Sequence, residues 1–306
     1  MLAQALKVSL DELRMQMLGV QVLFGFQFQG LFQDGAEGFG SSERIADATG
    51  LGMMVICLGL CLAVPCQHRL VEQGAATPRI YQTARHYANR ALLPLAIAIA
   101  CDLYVASART FGAHVGTVLA IAAGIAACAI WFIPGLVLRR GPRRTEEMMQ
   151  ATRTPLHAKI EQMLTEARVV LPGAQALLGF QLIVMMTKAF DQLPLGLRHV
   201  HLVALASLTL TVILLIAPAA IHRVGFGGQD DPRFHRIGSR LLSVALAPLA
   251  LAIACDLFIA FFKLFPSGAA GLTAAASGLV LLLALWYGFP LVLRQRFAPA
   301  DKGSRE

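Results

Sequence analysis

Apolar residues run along this chain in eight long blocks, each separated from the next by a short polar or basic stretch. The blocks fall at about 15–33, 47–67, 91–108, 114–138, 169–187, 199–221, 241–262 and 267–293. Each is close to the roughly 20 helical residues that cross a hydrocarbon core. Within a block the apolar positions surround the helix instead of forming one stripe. That pattern predicts helices solvated by lipid or by other buried helices. The blocks are too long, and too rich in Ala and Leu, for strands. The expected fold class is an all-α membrane protein with eight transmembrane helices. Ahead of the first block, Leu6, Leu10, Leu13 and Met17 share one helical face, which predicts a segment resting on the inner leaflet. Asp11, Glu12 and the lack of a small-residue cleavage site argue against a cleavable signal peptide there.

Composition agrees with this pattern. The chain is 57% hydrophobic and only 14% charged, whereas a soluble protein carries about a quarter charged residues. A disordered chain is excluded and a soluble globular enzyme is not expected. The net charge of +8 changes the picture more. With a cytoplasmic N-terminus, 21 of the 26 Lys and Arg residues fall on inner segments, and the outer segments hold five: Arg44, Arg109, Lys188, Arg198 and Lys263. This asymmetry predicts that both termini are cytoplasmic. The basic residues then face anionic headgroups, and no nucleic-acid partner is expected.

The chain also repeats itself at an offset of 154 residues. Glu12, Arg14, Gly19, Gln21, Leu23, Gly25, Phe26 and Gln27 recur as Glu166, Arg168, Gly173, Gln175, Leu177, Gly179, Phe180 and Gln181. Arg44 recurs as Arg198, His68-Arg69 as His222-Arg223, and Pro78-Arg79 as Pro232-Arg233. Pro94 to Ala106 matches Pro248 to Ala260 at 10 of 13 positions, and after one added residue Trp131 aligns with Trp286. Each repeat holds four spans, an even number, so the two must share one orientation about an axis along the membrane normal. The expected domains are a first four-helix repeat at 1–140, a basic cytoplasmic linker at 141–158, a second four-helix repeat at 159–297 and a cytoplasmic tail at 298–306.

The repeated unit runs ELR or EAR, then LPGAQALLGFQ, then an apolar helix ending APAAIHR, then a further helix pair. It resembles a bacterial family of four-span membrane proteins known only as a domain of unknown function. The match is best over residues 166–296, and the first repeat departs from it with Leu18 where the second has Pro172. The resemblance implies the bacterial inner (plasma) membrane and no established activity. Some members carry sodium/proton antiporter labels, which no catalytic motif in this chain supports.

Asp102 and Asp256 are the first candidates for chemistry, each about 11 residues into an otherwise apolar third span. A carboxylate at that depth costs roughly 2.5–3.5 kcal/mol on insertion scales, so it needs a partner or an aqueous path. Such a residue binds a proton or small cation on a transport route, or fixes helix packing. Gln27 and Gln181 lie at matching depth and are the expected partners of Asp102 and Asp256; Gln21 and Gln175 lie about 9 Å closer to the cytoplasm. Arg109 and Lys263 follow each Asp by seven residues, on the same face at the outer boundary, as gates or headgroup anchors. His68, Arg69, His222 and Arg223 end the second spans on the inner side, as lipid anchors or pH-sensing groups.

His199 and His201 have no further ligands beside them, and no metal site is expected. The six cysteines read as small buried hydrophobes, and Gly19, Gly25, Gly173, Gly179, Gly112 and Gly116 as positions for close helix packing. Pro94 and Pro248 are expected in the first turns of their helices. No phosphate-cradling loop, Rossmann fingerprint or nucleophile elbow occurs, so neither an enzyme nor a cofactor is expected. The two functional expectations are proton- or small-cation-coupled transport, and a non-transporting structural or stress-associated scaffold or accessory subunit. The topology is testable by cysteine labelling from outside. Reporters at Ser41 and Ser267 should react, those at Thr145 and Gln229 should not, and outside labelling at Thr145 would reverse the orientation.

Overall fold

In the computed structural model, which describes residues 2–137 and 154–297, eight long helices carry the architecture and no described residue lies in a strand. Helix α1 spans Leu2–Gly30, α2 Ser41–Leu70, α3 Pro78–Phe111 and α4 Ala113–Val137. Helix α5 spans Leu156–Val184, α6 Leu195–Gly225 and α7 Pro232–Leu264. Helix α8 starts over Gly268–Leu283, widens to a π-turn over Ala284–Gly288 and resumes over Phe289–Phe297. Seven helices, all but α1, are long and apolar enough to cross a membrane. That number fits a multi-pass integral membrane protein. Helix α1 falls short because Gln16, Gln21, Gln27 and Gln29 interrupt its apolar run.

The helices outrun the apolar blocks, and two expectations change as a result. Helix α1 starts at Leu2, and Leu6, Leu10, Leu13 and Met17 are at most 4% exposed. Their shared face packs into the protein and does not rest on a leaflet. Pro94 and Pro248 lie mid-helix, because the polar stretches before them are the first turns of α3 and α7. Those starts explain one recurrence. Thr77 and Asp231 cap the two helices by accepting from Ile80 N and Arg233 N, and Pro78 and Pro232 take the first helical position, where no amide donor is needed. The linker expected at 141–158 lies outside the described residues up to 153, and Leu156 already opens α5; the tail at 298–306 lies outside them too.

The two halves pair their helices alike. In the first, α2 packs on α3, α3 on α4, and α1 on both α2 and α3. In the second, α6 packs on α7, α7 on α8, and α5 on both α6 and α7. Helices α1 and α5 meet between the halves and run in the same direction, because contacts join equivalent residues near both ends. Lys7 Nζ lies 2.6 Å from Glu161 Oε1, and the Phe26 and Phe180 rings stand 4.5 Å apart. Gly25 admits the Phe180 ring, and Gly173 admits the Gln21 amide, where a Cβ would collide. Gly19 and Gly179 have open space instead, so only one glycine of each equivalent pair serves the seam.

Other contacts between the halves are unequal. Helix α8 docks on α2, where Trp286 is fully buried and donates through Nε1 to the Gly59 carbonyl at 3.1 Å. Helix α4, its counterpart, packs mainly on α3 and leaves Val118, Ile125 and Ile130 about two-thirds exposed. The position equivalent to Gly59 is Ile213, which is exposed.

Near one end of the helices, α2 and α5 are tied by a buried ionic cluster. Glu166 accepts from Arg69 Nη1 at 2.6 Å, and its other oxygen lies 2.6 Å from His68 Nδ1. All three side chains are 4% exposed or less. Arg69 Nε also reaches Ser243 Oγ on α7 at 3.4 Å. Arg69 and His68 were expected at the lipid surface, but α2 is the most buried of the seven apolar helices, so its end faces protein. The equivalent residues do not assemble: Glu12 and Arg223 are exposed, and His222 packs on the Phe234 ring at 4.5 Å. Truncating Glu166 to Ala leaves Arg69 buried without a counter-charge and should cost about 3–5 kcal/mol. The same change at Glu12 should stay within about 0.5 kcal/mol. Unfolding of the two purified variants in detergent makes the comparison, and equal losses would sink it.

Candidate functional site

Each half holds a polar centre built from its first three helices. In the second half, Gln181 of α5 sends one amide nitrogen to both oxygens of Asp256 on α7, at 2.7 and 2.8 Å. Both residues are 1% exposed. His201 of α6 completes the centre, its Nε2 lying 3.1 Å from the Gln181 backbone carbonyl. A carbonyl only accepts, so the ring donates from Nε2 and presents Nδ1 as an acceptor. Buried Nδ1 of His201 and Oε1 of Gln181 have no partner among the described residues. Phe28 of α1 stacks on the His201 ring at 6.3 Å, and Phe190 meets its edge at 5.1 Å.

In the first half, Gln27 of α1 turns to α2 instead. Its Nε2 donates to Oδ1 and to the backbone carbonyl of Asp47, both at 3.2 Å. Asp102 was expected to hold Gln27 and does not. It stands beside the pair, half-buried, with no hydrogen bond among the described residues. Gly50 explains the difference. A Cβ there would lie 2.6 Å from Gln27 Nε2 and 3.5 Å from Asp102 Oδ1, so the bare glycine makes the room that the Gln27 amide fills. The equivalent residue in the second half is Ala204, fully buried, and there the amide turns to the third helix. Asp47 Oδ2 and Gln27 Oε1 are buried without partners among the described residues. Acceptors therefore exceed donors in both centres, and in the first they include two carboxylates. Among the described residues no three His, Cys, Asp or Glu side chains converge as metal ligands would.

One family model, described as a family of unknown function (DUF6328), matches residues 3–134 and again 146–290. The chain belongs to this family. Two successive matches over most of its length make it a tandem duplicate. No curated protein and no solved structure matches it.

The remaining candidates of this DUF6328 chain scatter. Gln21 is buried on Gly173 with both ends of its amide unpaired among the described residues, whereas Gln175 is exposed, so the second glutamine layer does not form. Arg109 and Lys263 both fasten the loop after α1. Arg109 donates to the Gly35 carbonyl and stands 5.3 Å over the Phe39 ring, and Lys263 Nζ lies 4.7 Å over the Phe32 ring. Arg44 and Arg198 each bond through Nε, at 3.0 Å, to the carbonyl five residues earlier, which explains their recurrence. His199 is exposed and His201 buried, so they do not converge.

Asp47 and Glu166 were missed as site residues. Asp47 is equivalent to His201; both are titratable yet unlike in type, so identity between the repeats does not mark them. Replacing Gly50 by Ala should evict the Gln27 amide from Asp47 and cost about 1–3 kcal/mol. Adding Asp47→His reproduces the second half's residues and should recover part of that loss, a non-additivity of at least about 0.5 kcal/mol. Strictly additive losses in an unfolding cycle would refute the account of Gly50.

Proposed function

We propose that the protein is an eight-span membrane protein of a bacterial inner membrane, with both termini cytoplasmic, and that its first polar centre takes up and releases a proton or small cation in coupled transport. Two four-helix units share one orientation, with a pseudo-twofold axis along the seam of α1 and α5. The equivalent contacts Lys7–Glu161 and Phe26–Phe180 support that axis. Lying alongside α5 in this way, α1 serves as the eighth span. The observation that carries the transport reading is the meeting of Asp47 and Asp102 around the single Gln27 amide. Two like charges at low dielectric repel, and one amide does not serve both, so a proton or cation is the partner that relieves them.

A specific observation favours the scaffold alternative for the second half. Asp256 is 1% exposed and both its oxygens are held by Gln181. Each aspartate is also contacted by helices of its own half, not by a polar layer common to both. We therefore assign exchange to the first centre and anchoring to the second.

Proteoliposomes loaded with a pH-sensitive dye test this under an imposed sodium or potassium gradient. Wild type should move protons faster than protein-free vesicles. Asp47→Asn and Asp102→Asn should insert normally and lose flux by about tenfold or more, because Asn keeps size and hydrogen bonding but removes titration. Asp256→Asn should retain most flux. Wild-type flux equal to that of empty vesicles would decide for the scaffold.

A further inference from the structure

Near the end of the molecule where α2 stops and α5 and α7 begin, a cavity of about 510 Å³ opens between the two halves. Its chemistry is one-sided. Lys159 enters from α5, His235, Arg236 and Arg240 from α7, and Arg294 from α8, while Arg69 closes the inner wall. Arg69 is already neutralised by Glu166. Among the described residues Lys159, Arg236, Arg240 and Arg294 make no ion pair, and no carboxylate lines the cavity. Arg236 and Arg240 lie four apart on one helix, where like charges repel. Leu156 and Pro232, the first residues of α5 and α7, also line the space. Two helix N-termini therefore add their positive ends to it.

We infer that this cavity is a binding site for a phosphate-bearing anion. Scattered arginines at a membrane surface need only headgroups in general. Here cations from three helices converge on one concave space, and a phosphate accepts from several of them at once. Basic pockets between membrane helices on the cytoplasmic side hold anionic lipid headgroups by this chemistry. The inference does not depend on transport. The site lies apart from both Gln–Asp centres, and its test reads binding.

The test uses full-length protein in nanodiscs of neutral phosphatidylcholine. Titrated phosphatidylglycerol should raise the unfolding temperature and saturate near one lipid per chain by native mass spectrometry. Arg236→Gln/Arg240→Gln should weaken that binding about tenfold, two guanidinium contacts being removed. Arg85→Gln/Arg90→Gln removes equal charge from exposed positions on α3 and should leave binding unchanged. Should the double variant fail to fold, Arg294→Gln at the exposed end of α8 takes its place. Inorganic phosphate alone separates the sources: stabilisation that competes with the lipid assigns a soluble phosphate, and stabilisation by lipid only assigns a headgroup. Equal weakening by both double variants, or no saturable binding of either anion, overturns the site.

Discussion

The arrangement rests on the seam where α1 and α5 lie side by side. Lipid offers helices no hydrophobic reason to associate, so close packing and polar contacts must hold them. Here the means are visible. Gly25 receives Phe180, Gly173 receives Gln21, and Lys7 meets Glu161 where the seam begins. Contacts between residues 154 apart, near both ends, fix the two helices as parallel. Away from the seam the halves also meet where α7 and α8 pack on α2. Glu166 adds a second tie by drawing the end of α2 onto α5. A buried carboxylate is costly without compensation, and here a guanidinium and an imidazole supply it.

Three differences between equivalent positions accompany the departures from symmetry between the halves. Gly59 accepts from Trp286 where α8 docks on α2, whereas the equivalent position on α6 is Ile213 and α4 packs mainly on α3. Gly50 against Ala204 decides which way the glutamine amide turns. Asp47 against His201 decides whether a centre holds a second carboxylate or an imidazole. Each is a difference of one side chain at an equivalent position, and at Gly50 it acts through the space that the missing side chain leaves.

Much of this was legible beforehand. The apolar blocks located all eight helices, the offset of 154 located the equivalences, and matching depth paired Gln181 with Asp256. What failed did so for physical reasons. Counting Lys and Arg by side treats every charge as solvated, yet Arg69 lies on the helix that both halves surround, and only tertiary packing buries it. Hydropathy marks where lipid lies, while backbone hydrogen bonding carries a helix past that boundary, so Pro94 moved from first turn to mid-helix. Depth alone paired Gln27 with Asp102. It carried no information about Gly50, whose missing side chain redirects the amide.

The difference between the two centres follows from counting donors. A primary amide offers two N–H groups and a carboxylate only accepts. In the second centre one amide meets one carboxylate, and Asp256 is satisfied through both oxygens. In the first, Asp47 takes the Gln27 amide, and Asp102 stands beside it with none. No other donor among the described side chains reaches Asp102. The first centre is therefore short of positive charge in a place where each unmet acceptor is costly. A proton or small cation is the smallest addition that completes it. The exposure of the two aspartates runs the same way, half-buried at Asp102 and closed at Asp256. Partial exposure and an unmet acceptor thus fall together at Asp102 alone, and the proposal of exchange at the first centre rests on that coincidence.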